Sequence, residues 1–178
     1  MFRHVPVLPV VVPLGVIVLV ALLESLRRRR SLSLPRATVA VALSVYVAGV
    51  VANTVFPIYL DKPGRDASWD DFLVLVPLAD YEVADAAMNV AVFVPVGVLV
   101  PLVLVGASWG RVLAIAAASS LGIEVVQYAT AHLLSGGHIA DVNDLLFNVA
   151  GALAGFGALR LLTRISTVVA LRDRFSWH

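Results

Sequence analysis

The chain has 178 residues, of which 60% are hydrophobic and 14% charged, and its mean hydropathy is +0.94. Soluble domains are about 45 to 50% apolar and about 25% charged, so this composition excludes an ordinary soluble globular protein. Long unbroken apolar runs disfavour a transmembrane β-barrel, and the lack of cysteine excludes disulfides and thiolate metal sites. We therefore predict an all-α, polytopic bundle of transmembrane helices.

Five predicted spans follow one another along the chain. They cover residues 5–26, 35–58, 85–105, 111–129 and 143–162, each close to the roughly 20 apolar residues that a spanning helix needs. Pro6, Pro9 and Pro13 are expected to distort the first span. We expect a single membrane domain over residues 1–178, with the first helix at its periphery.

The charges that flank the spans predict the orientation. Four consecutive arginines, residues 27–30, follow the first span, whereas the connection over residues 59–85 carries seven acidic and two basic residues. Because basic residues favour the cytoplasmic side, the N-terminus is expected outside and the C-terminus in the cytoplasm. Residues 69–78 are too short to span and should lie in the outer interface or dip into the bundle. The tail, residues 166–178, should lie on the membrane surface.

Polar residues within the spans are the candidate functional groups. Ser120, Glu124 and Gln127 share one face of the fourth span, and a buried ionisable group in a membrane is by default a functional-site hypothesis. The predicted orientation brings polar residues of the other spans to the same outer depth. The side chains expected to line one outward-facing pocket are Asn53, Asn89, Glu124, Gln127, His138, Asp141, Asp144 and Asn148.

One stripe of the fifth span combines polar and small residues. Asp144, Asn148, Gly151 and Gly155 follow a helical spacing, with the acid at the outer end and a G-x-x-x-G pattern below it. The glycines predict close packing against another helix. Either Asp141 or Asp144 could instead cap this helix.

Two stretches carry a distinctive pattern of polar, proline and glycine residues. Residues 89–101 read N-x-x-x-F-x-P-x-G-x-x-x-P, and I-E-x-x-Q at residues 123–127 is followed by D-x-N-D-x-x-x-N-x-x-G at residues 141–151. Together they resemble the VanZ-like family of small bacterial membrane proteins. That family has Arg where this chain has His138, and often Asp where it has Asn143.

The resemblance implies a multi-pass protein of the bacterial plasma membrane, with a VanZ-like core over about residues 36–165. It also implies a link to resistance against the glycopeptide antibiotic teicoplanin. The expected partners are the lipid bilayer and a lipid-linked cell-wall precursor, and no nucleic acid is expected.

Three roles for the polar residues remain open at this stage. The pocket could bind the headgroup of an envelope lipid or precursor. Alternatively, Glu124 and Asp144 could act as acid and base in an intramembrane enzyme, or a divalent cation could be held by Glu124, His138, Asp141 and Asp144. No cofactor is otherwise predicted. In the third, purely structural role, Glu124 and Gln127 would bond to Asn148 and Asn89 and hold the helices together.

Overall fold

The computed structural model describes residues 3–60, 68–79, 81–134 and 139–178. Its elements are α1 (Leu8–Arg28), α2 (Leu34–Val55), a 3-10 turn (Trp69–Phe72), β1 (Leu73–Val74), α3 (Val83–Val103), α4 (Trp109–Leu134), β2 (Ala140–Asp141), α5 (Val142–Leu162) and α6 (Ser166–Phe175). The first five helices are long and apolar enough to cross a membrane. The predicted all-α bundle with five spans is confirmed.

Proline residues explain where helix α1 begins and where helix α2 ends. Helix α1 begins at Leu8, so Pro6 precedes it and Pro9 lies in its first turn, where a missing N–H leaves no intrahelical bond unmade. Pro13 alone lies inside the helix. Helix α2 ends at Val55, three residues earlier than predicted, because Phe56 precedes Pro57 and adopts an extended conformation.

Helix α4 is longer than predicted at both ends. It begins at Trp109 and continues past residue 129 to Leu134, so His132 belongs to the helix. The His132 ring stacks on Tyr128 one turn earlier and meets the edge of Phe72. Because Phe72 is distant in sequence from His132, the hydropathy pattern could not predict this ring contact.

Helices α3 and α5 make the most extensive contact between helices in the described parts of the chain. A Cβ atom on Gly151 would lie 2.2 Å from the backbone oxygen of Val90, and one on Gly155 would lie 2.2 Å from that of Val94. A Cβ on Gly97 would meet the α5 backbone at 2.0 Å from the Ala152 oxygen. The predicted small-residue face of α5 therefore packs backbone to backbone on α3.

Two apolar clusters hold the remaining helices in place. Phe93 and Val96 of α3 pack with Val112 and Ala116 of α4 and with Phe156 of α5. The second cluster joins α1 and α2 to the C-terminal segment through Leu26, Val39, Ala40 and Trp177.

The C-terminal segment is more deeply placed than the sequence predicted. Trp177 is only 6% exposed, and its backbone N–H donates to the Leu102 oxygen at 2.8 Å. The Arg36 Nε donates to the Ser176 oxygen at 2.6 Å. The prediction of a surface-lying tail is therefore wrong for residues 176 and 177, because this aromatic side chain fills a gap between α1, α2 and α3.

The two ends of the bundle carry opposite charge. At the end where α2 and α4 finish and α3 and α5 start, here called the acidic end, the described carboxyls are Asp70, Asp71, Glu82, Asp85, Glu124, Asp141 and Asp144. The opposite end, the basic end, carries Arg27, Arg28, Arg29, Arg30, Arg36, Arg111, Arg160, Arg164, Arg172 and Arg174. Glu24 and Asp173 form ion pairs with arginines there.

Candidate functional site

A cavity of about 830 Å³ lies at the acidic end of the bundle, between α2, α3, α4 and α5. It is lined by seven of the eight predicted site residues: Asn53, Asn89, Glu124, Gln127, Asp141, Asp144 and Asn148. The eighth, His138, lies outside the described residues. The cavity thus brings together residues from four separate helices, which helical spacing and the predicted span orientation had placed at one depth.

The lining of this cavity is strongly acidic. Its described residues include five carboxyl side chains and no lysine, arginine or histidine. The carboxyls belong to Glu82, Asp85, Glu124, Asp141 and Asp144. At the same end, outside the spanning helices, a side-chain hydrogen bond with Ser68 lowers the pKa of the Asp70 carboxyl, which keeps that group ionised at neutral pH. The field in and around the cavity favours a cation.

Glu124 is held on one side and unpartnered on the other. The residue is 7% exposed, and its Oε2 accepts a hydrogen bond from the backbone N–H of Asp141 at 2.8 Å. Its Oε1 is buried and has no hydrogen-bond partner among the residues that the structure describes. The Asp141 bond orients the carboxyl, while the free oxygen remains available to a donor in the cavity.

The two acids at the start of α5 have different tasks. The Asp141 Oδ1 accepts from the backbone N–H of Asn143 at 2.7 Å and caps the helix. Asp144 lies in the first turn of the helix, lines the cavity and accepts a hydrogen bond from the Asn89 side chain of α3. Asp141 is therefore the cap that the sequence left undecided, and Asp144 is not needed for that purpose.

Gln127 and Asn148 also present buried oxygens without partners. The Asn148 Nδ2 donates to the Ser120 Oγ at 2.9 Å, which joins α5 to α4, but its Oδ1 has no hydrogen-bond partner in the described parts of the chain. The Gln127 Oε1 is likewise buried and unpartnered. In the purely structural role, Glu124 and Gln127 would form hydrogen bonds with Asn148 and Asn89. Those two amides instead donate to Ser120 and Asp144.

Asn53 is the most exposed of the predicted site residues that the structure describes. Its Nδ2 donates to the Gly49 oxygen of its own helix at 2.9 Å. It therefore lines the cavity at the end of α2 without joining the buried network.

Asn143 has a structural role that the sequence did not reveal. It is 1% exposed, its Oδ1 accepts from the Leu78 N–H at 2.6 Å, and its Nδ2 donates to the Ala79 oxygen at 3.3 Å. Leu78 has a φ of 59°, in the left-handed region that a branched residue seldom adopts. The asparagine thus holds the end of residues 68–79, a segment here called the strap.

The strap crosses the acidic end of the bundle. Its strand β1 pairs in parallel with β2, with Leu73 opposite Ala140 and Val74 opposite Asp141. Val74 lines the cavity, so the strap forms part of the cavity wall. The short mixed segment therefore packs on the acidic end of the bundle, with Leu75, Val76 and Leu78 exposed.

The described residues provide no cluster for a metal ion. No group of three or more histidine, cysteine, aspartate or glutamate side chains within them could hold one. Glu124, Asp141 and Asp144 do not form such a group within the described part of the chain.

A family model described as VanZ/LLP1 matches residues 43–163, which is more than half of the chain. No curated protein and no solved structure shows significant similarity to the chain. The matched range contains both stretches on which the resemblance rested, and the resemblance is confirmed. The chain belongs to the VanZ/LLP1 family, and its five spanning helices make it a multi-pass membrane protein.

Proposed function

We propose that the cavity binds the polar headgroup of a lipid or lipid-linked cell-wall precursor in the outer leaflet of the bacterial plasma membrane. The observation that carries this proposal is the set of three buried, unpartnered oxygens of Glu124, Gln127 and Asn148, which belong to residues lining one cavity.

Unpartnered buried oxygens indicate a missing donor. Buried polar groups in folded proteins almost always have a hydrogen-bond partner, and each exception costs about 1–3 kcal/mol. A purely structural network would pair these oxygens with neighbouring amides. Here the amides of Asn89 and Asn148 donate to Asp144 and Ser120, and no group within the described residues donates to the three oxygens, which favours donors from a bound molecule or from water.

The size and position of the cavity favour a lipid headgroup. Ligand pockets commonly enclose about 300–1,000 Å³, and about 830 Å³ falls within this range. The cavity lies among the ends of four helices long enough to span a membrane, and the ends of such helices are expected where headgroups meet the hydrocarbon core. A molecule anchored in the bilayer can present its headgroup at this depth without leaving the membrane.

We further propose that this binding underlies resistance to glycopeptide antibiotics such as teicoplanin. These antibiotics act at the outer surface of the membrane, where the cavity opens in the proposed orientation. A protein that holds a precursor or a lipid there competes for the same surface.

The test is to identify the lipid that copurifies with the protein in a mild detergent by native mass spectrometry. Glu124→Gln keeps the volume and removes the charge, and we expect it to lose the bound lipid while keeping the helical content. Glu24→Gln is the matched control, because Glu24 pairs with Arg28 at the basic end. Wild-type protein that carries no lipid, or Glu124→Gln that retains it fully, would contradict the proposal.

The same variants test the link to resistance in cells. We expect wild type and Glu24→Gln to lower teicoplanin susceptibility and Glu124→Gln to leave it at the level of the empty vector. Incubation with lipid-linked precursors adds a second readout. A changed lipid mass, dependent on Glu124 and Asp144, would assign catalysis to the cavity in place of binding.

A further inference from the structure

A second, apolar groove adjoins the acidic cavity. It has a volume of about 460 Å³ and lies between the strap, α4 and the start of α5. Its lining residues are Leu73, Val74, Leu75, Leu121, Glu124, Val125, Tyr128, Ala140, Asp141, Val142 and Leu145. Val74, Glu124 and Asp141 line both compartments, so the groove and the cavity share a border.

The lining of the cavity favours a ligand that donates hydrogen bonds and carries positive charge. The buried unpartnered atoms of its described lining are all oxygens, and that lining has five carboxyls without a basic side chain. A primary ammonium has three N–H donors and no acceptor, so it satisfies both requirements. A bare phosphate or carboxylate meets neither, because it accepts hydrogen bonds and is repelled by the carboxyls.

The lining of the groove, in contrast, favours an apolar ligand. Leu121 and Val125 on α4 and Leu75 on the strap are all more than half exposed and turn their side chains to the groove or the surrounding lipid. Glu124 lies beside them on the same helix, at the border with the cavity. An acyl chain in the groove would therefore continue directly into a headgroup in the cavity.

Resting on the proposed function, we infer that the ligand is an amphiphile with a primary ammonium group in the cavity and one acyl chain in the groove. Glu124 lies at the border between the cavity for the headgroup and the groove for the chain. Its Oε2 is tied to the Asp141 N–H of β2, which leaves Oε1 as the acceptor for the ammonium. The β1–β2 pair covers the place where the chain and the headgroup join.

The experiment compares probes that share one chain or one headgroup. The protein is placed in nanodiscs of phosphatidylglycerol, and affinities are measured for dodecylamine, dodecyltrimethylammonium, dodecanol and ethylamine. Nanodiscs with Glu124→Gln correct for partitioning into the bilayer. We expect dodecylamine to bind at least about tenfold more tightly than each other probe. Dodecyltrimethylammonium and dodecanol lack the charged N–H donors, whose hydrogen bonds contribute on the order of a tenfold factor or more, and ethylamine lacks the apolar chain.

The source of the ammonium is resolved by two further ligands. Phosphatidylethanolamine carries it next to a lipid phosphate, and a lipid-linked peptide carries it on an amino-acid side chain. Competition with bound dodecylamine ranks the two. If neither displaces it, the inference that a natural aminolipid occupies the site is overturned.

The groove is tested by filling it. Val125→Trp adds an indole to a groove residue that is 59% exposed, and we expect the affinity for dodecylamine to fall about tenfold, toward that of ethylamine. Leu113→Trp is the matched control, since Leu113 is an exposed residue of α4 outside the groove. An unchanged affinity in Val125→Trp would exclude the groove as the chain site.

The outcomes separate this inference from the proposed function. Equal binding of the ammonium, trimethylammonium and alcohol probes, all lost in Glu124→Gln, would overturn the primary-ammonium claim and leave headgroup binding intact. Absence of any probe or lipid binding by the wild-type protein would overturn both. Asp144→Asn serves as a second charge-removing variant if Glu124→Gln does not fold.

Discussion

Two buried asparagines of α5 illustrate how the same side chain serves structure and ligand binding. Asn143 is satisfied at both ends by the backbone of the strap, at Leu78 and Ala79. Asn148 donates to Ser120 but leaves its oxygen without a partner. A fully paired amide fixes a loop, whereas an amide with a free acceptor leaves a binding group in the cavity. Their hydrogen bonds, and not their burial, distinguish the two.

Replacement of Asn143 by alanine should release the strap. The variant leaves the Leu78 N–H without its acceptor and removes support from a backbone that is already in the left-handed region. We expect hydrogen exchange at the Leu78 amide to rise about two- to tenfold, since one such bond contributes about 0.5–1.5 kcal/mol.

Asn53→Ala is the control for the strap experiment. Asn53 bonds only within its own helix and is exposed, so exchange at Leu78 should stay at the wild-type rate. Equal exchange at Leu78 in wild type and Asn143→Ala would contradict the assignment of Asn143 as the residue that holds the strap.

The members of the cavity could be predicted, but the role of Asn143 could not. Glu124 and Gln127 follow from helical spacing within one segment, and their depth follows from the direction of the span. The partner of Asn143 is a loop backbone more than 60 residues earlier. No local periodicity encodes such a contact, because it joins two segments that meet only in the folded bundle.

At the scale of elements, the pairing of α3 with α5 depends on glycine positions, which carry no side chain. Gly97, Gly151 and Gly155 let the two backbones meet, and Asn89 and Asp144 join the same two helices at the acidic end. In lipid, apolar side chains gain little by leaving the hydrocarbon, so close van der Waals packing and hydrogen bonds stabilise such a pair.

A single methyl group should weaken the α3–α5 contact. In Gly151→Ala the new Cβ would lie 2.2 Å from the Val90 oxygen, so the backbones must separate. We expect a loss of about 1–3 kcal/mol in unfolding free energy, as is typical of overpacking. The measurement is thermal or denaturant unfolding in detergent micelles.

Gly122→Ala is the matched control for that substitution. Gly122 lies in a spanning helix as well, but a Cβ there meets no atom within 4 Å, so its stability should equal or exceed that of wild type. Similar destabilisation of both variants would show that helix packing is not the cause.

The elements themselves were largely predictable, and the errors have physical reasons. Runs of about 20 apolar residues identify the spans, and the glycine spacing of α5 identifies its packing face. The extra turns of α4 at His132 and the buried Trp177 depend on tertiary contacts that composition does not report. An arginine-rich tail reads as a surface segment until the gap that its aromatic residue fills is known.

At the scale of the whole molecule, charge is sorted between the two ends. The described carboxyls that line the cavity lie at one end, and the arginine run 27–30 lies at the other. We propose from this separation that the acidic end faces outward and the basic end faces the cytoplasm, in keeping with the positive-inside bias. The cavity then opens on the outer side of the membrane.

Labelling of introduced cysteines tests this orientation, and the natural sequence has none to interfere. Asp71→Cys lies exposed at the acidic end and Ser33→Cys lies exposed at the basic end. We expect a membrane-impermeant maleimide to label Asp71→Cys in intact cells and Ser33→Cys only after permeabilisation. The reverse pattern would place the cavity on the cytoplasmic side and overturn its assignment to the outer leaflet.

The glycine contact between α3 and α5 also governs how the protein can move. Where backbones touch, there is no layer of side-chain rotamers to absorb sliding or tilting, so the pair behaves as one rigid body. Helix α4 is tied to this pair through the Asn148–Ser120 and Asp141–Glu124 hydrogen bonds, whereas Asn53 of α2 donates within its own helix. The walls carrying Asn89, Asp144 and Glu124 thus form the rigid frame of the cavity, and the α2 wall is held more loosely.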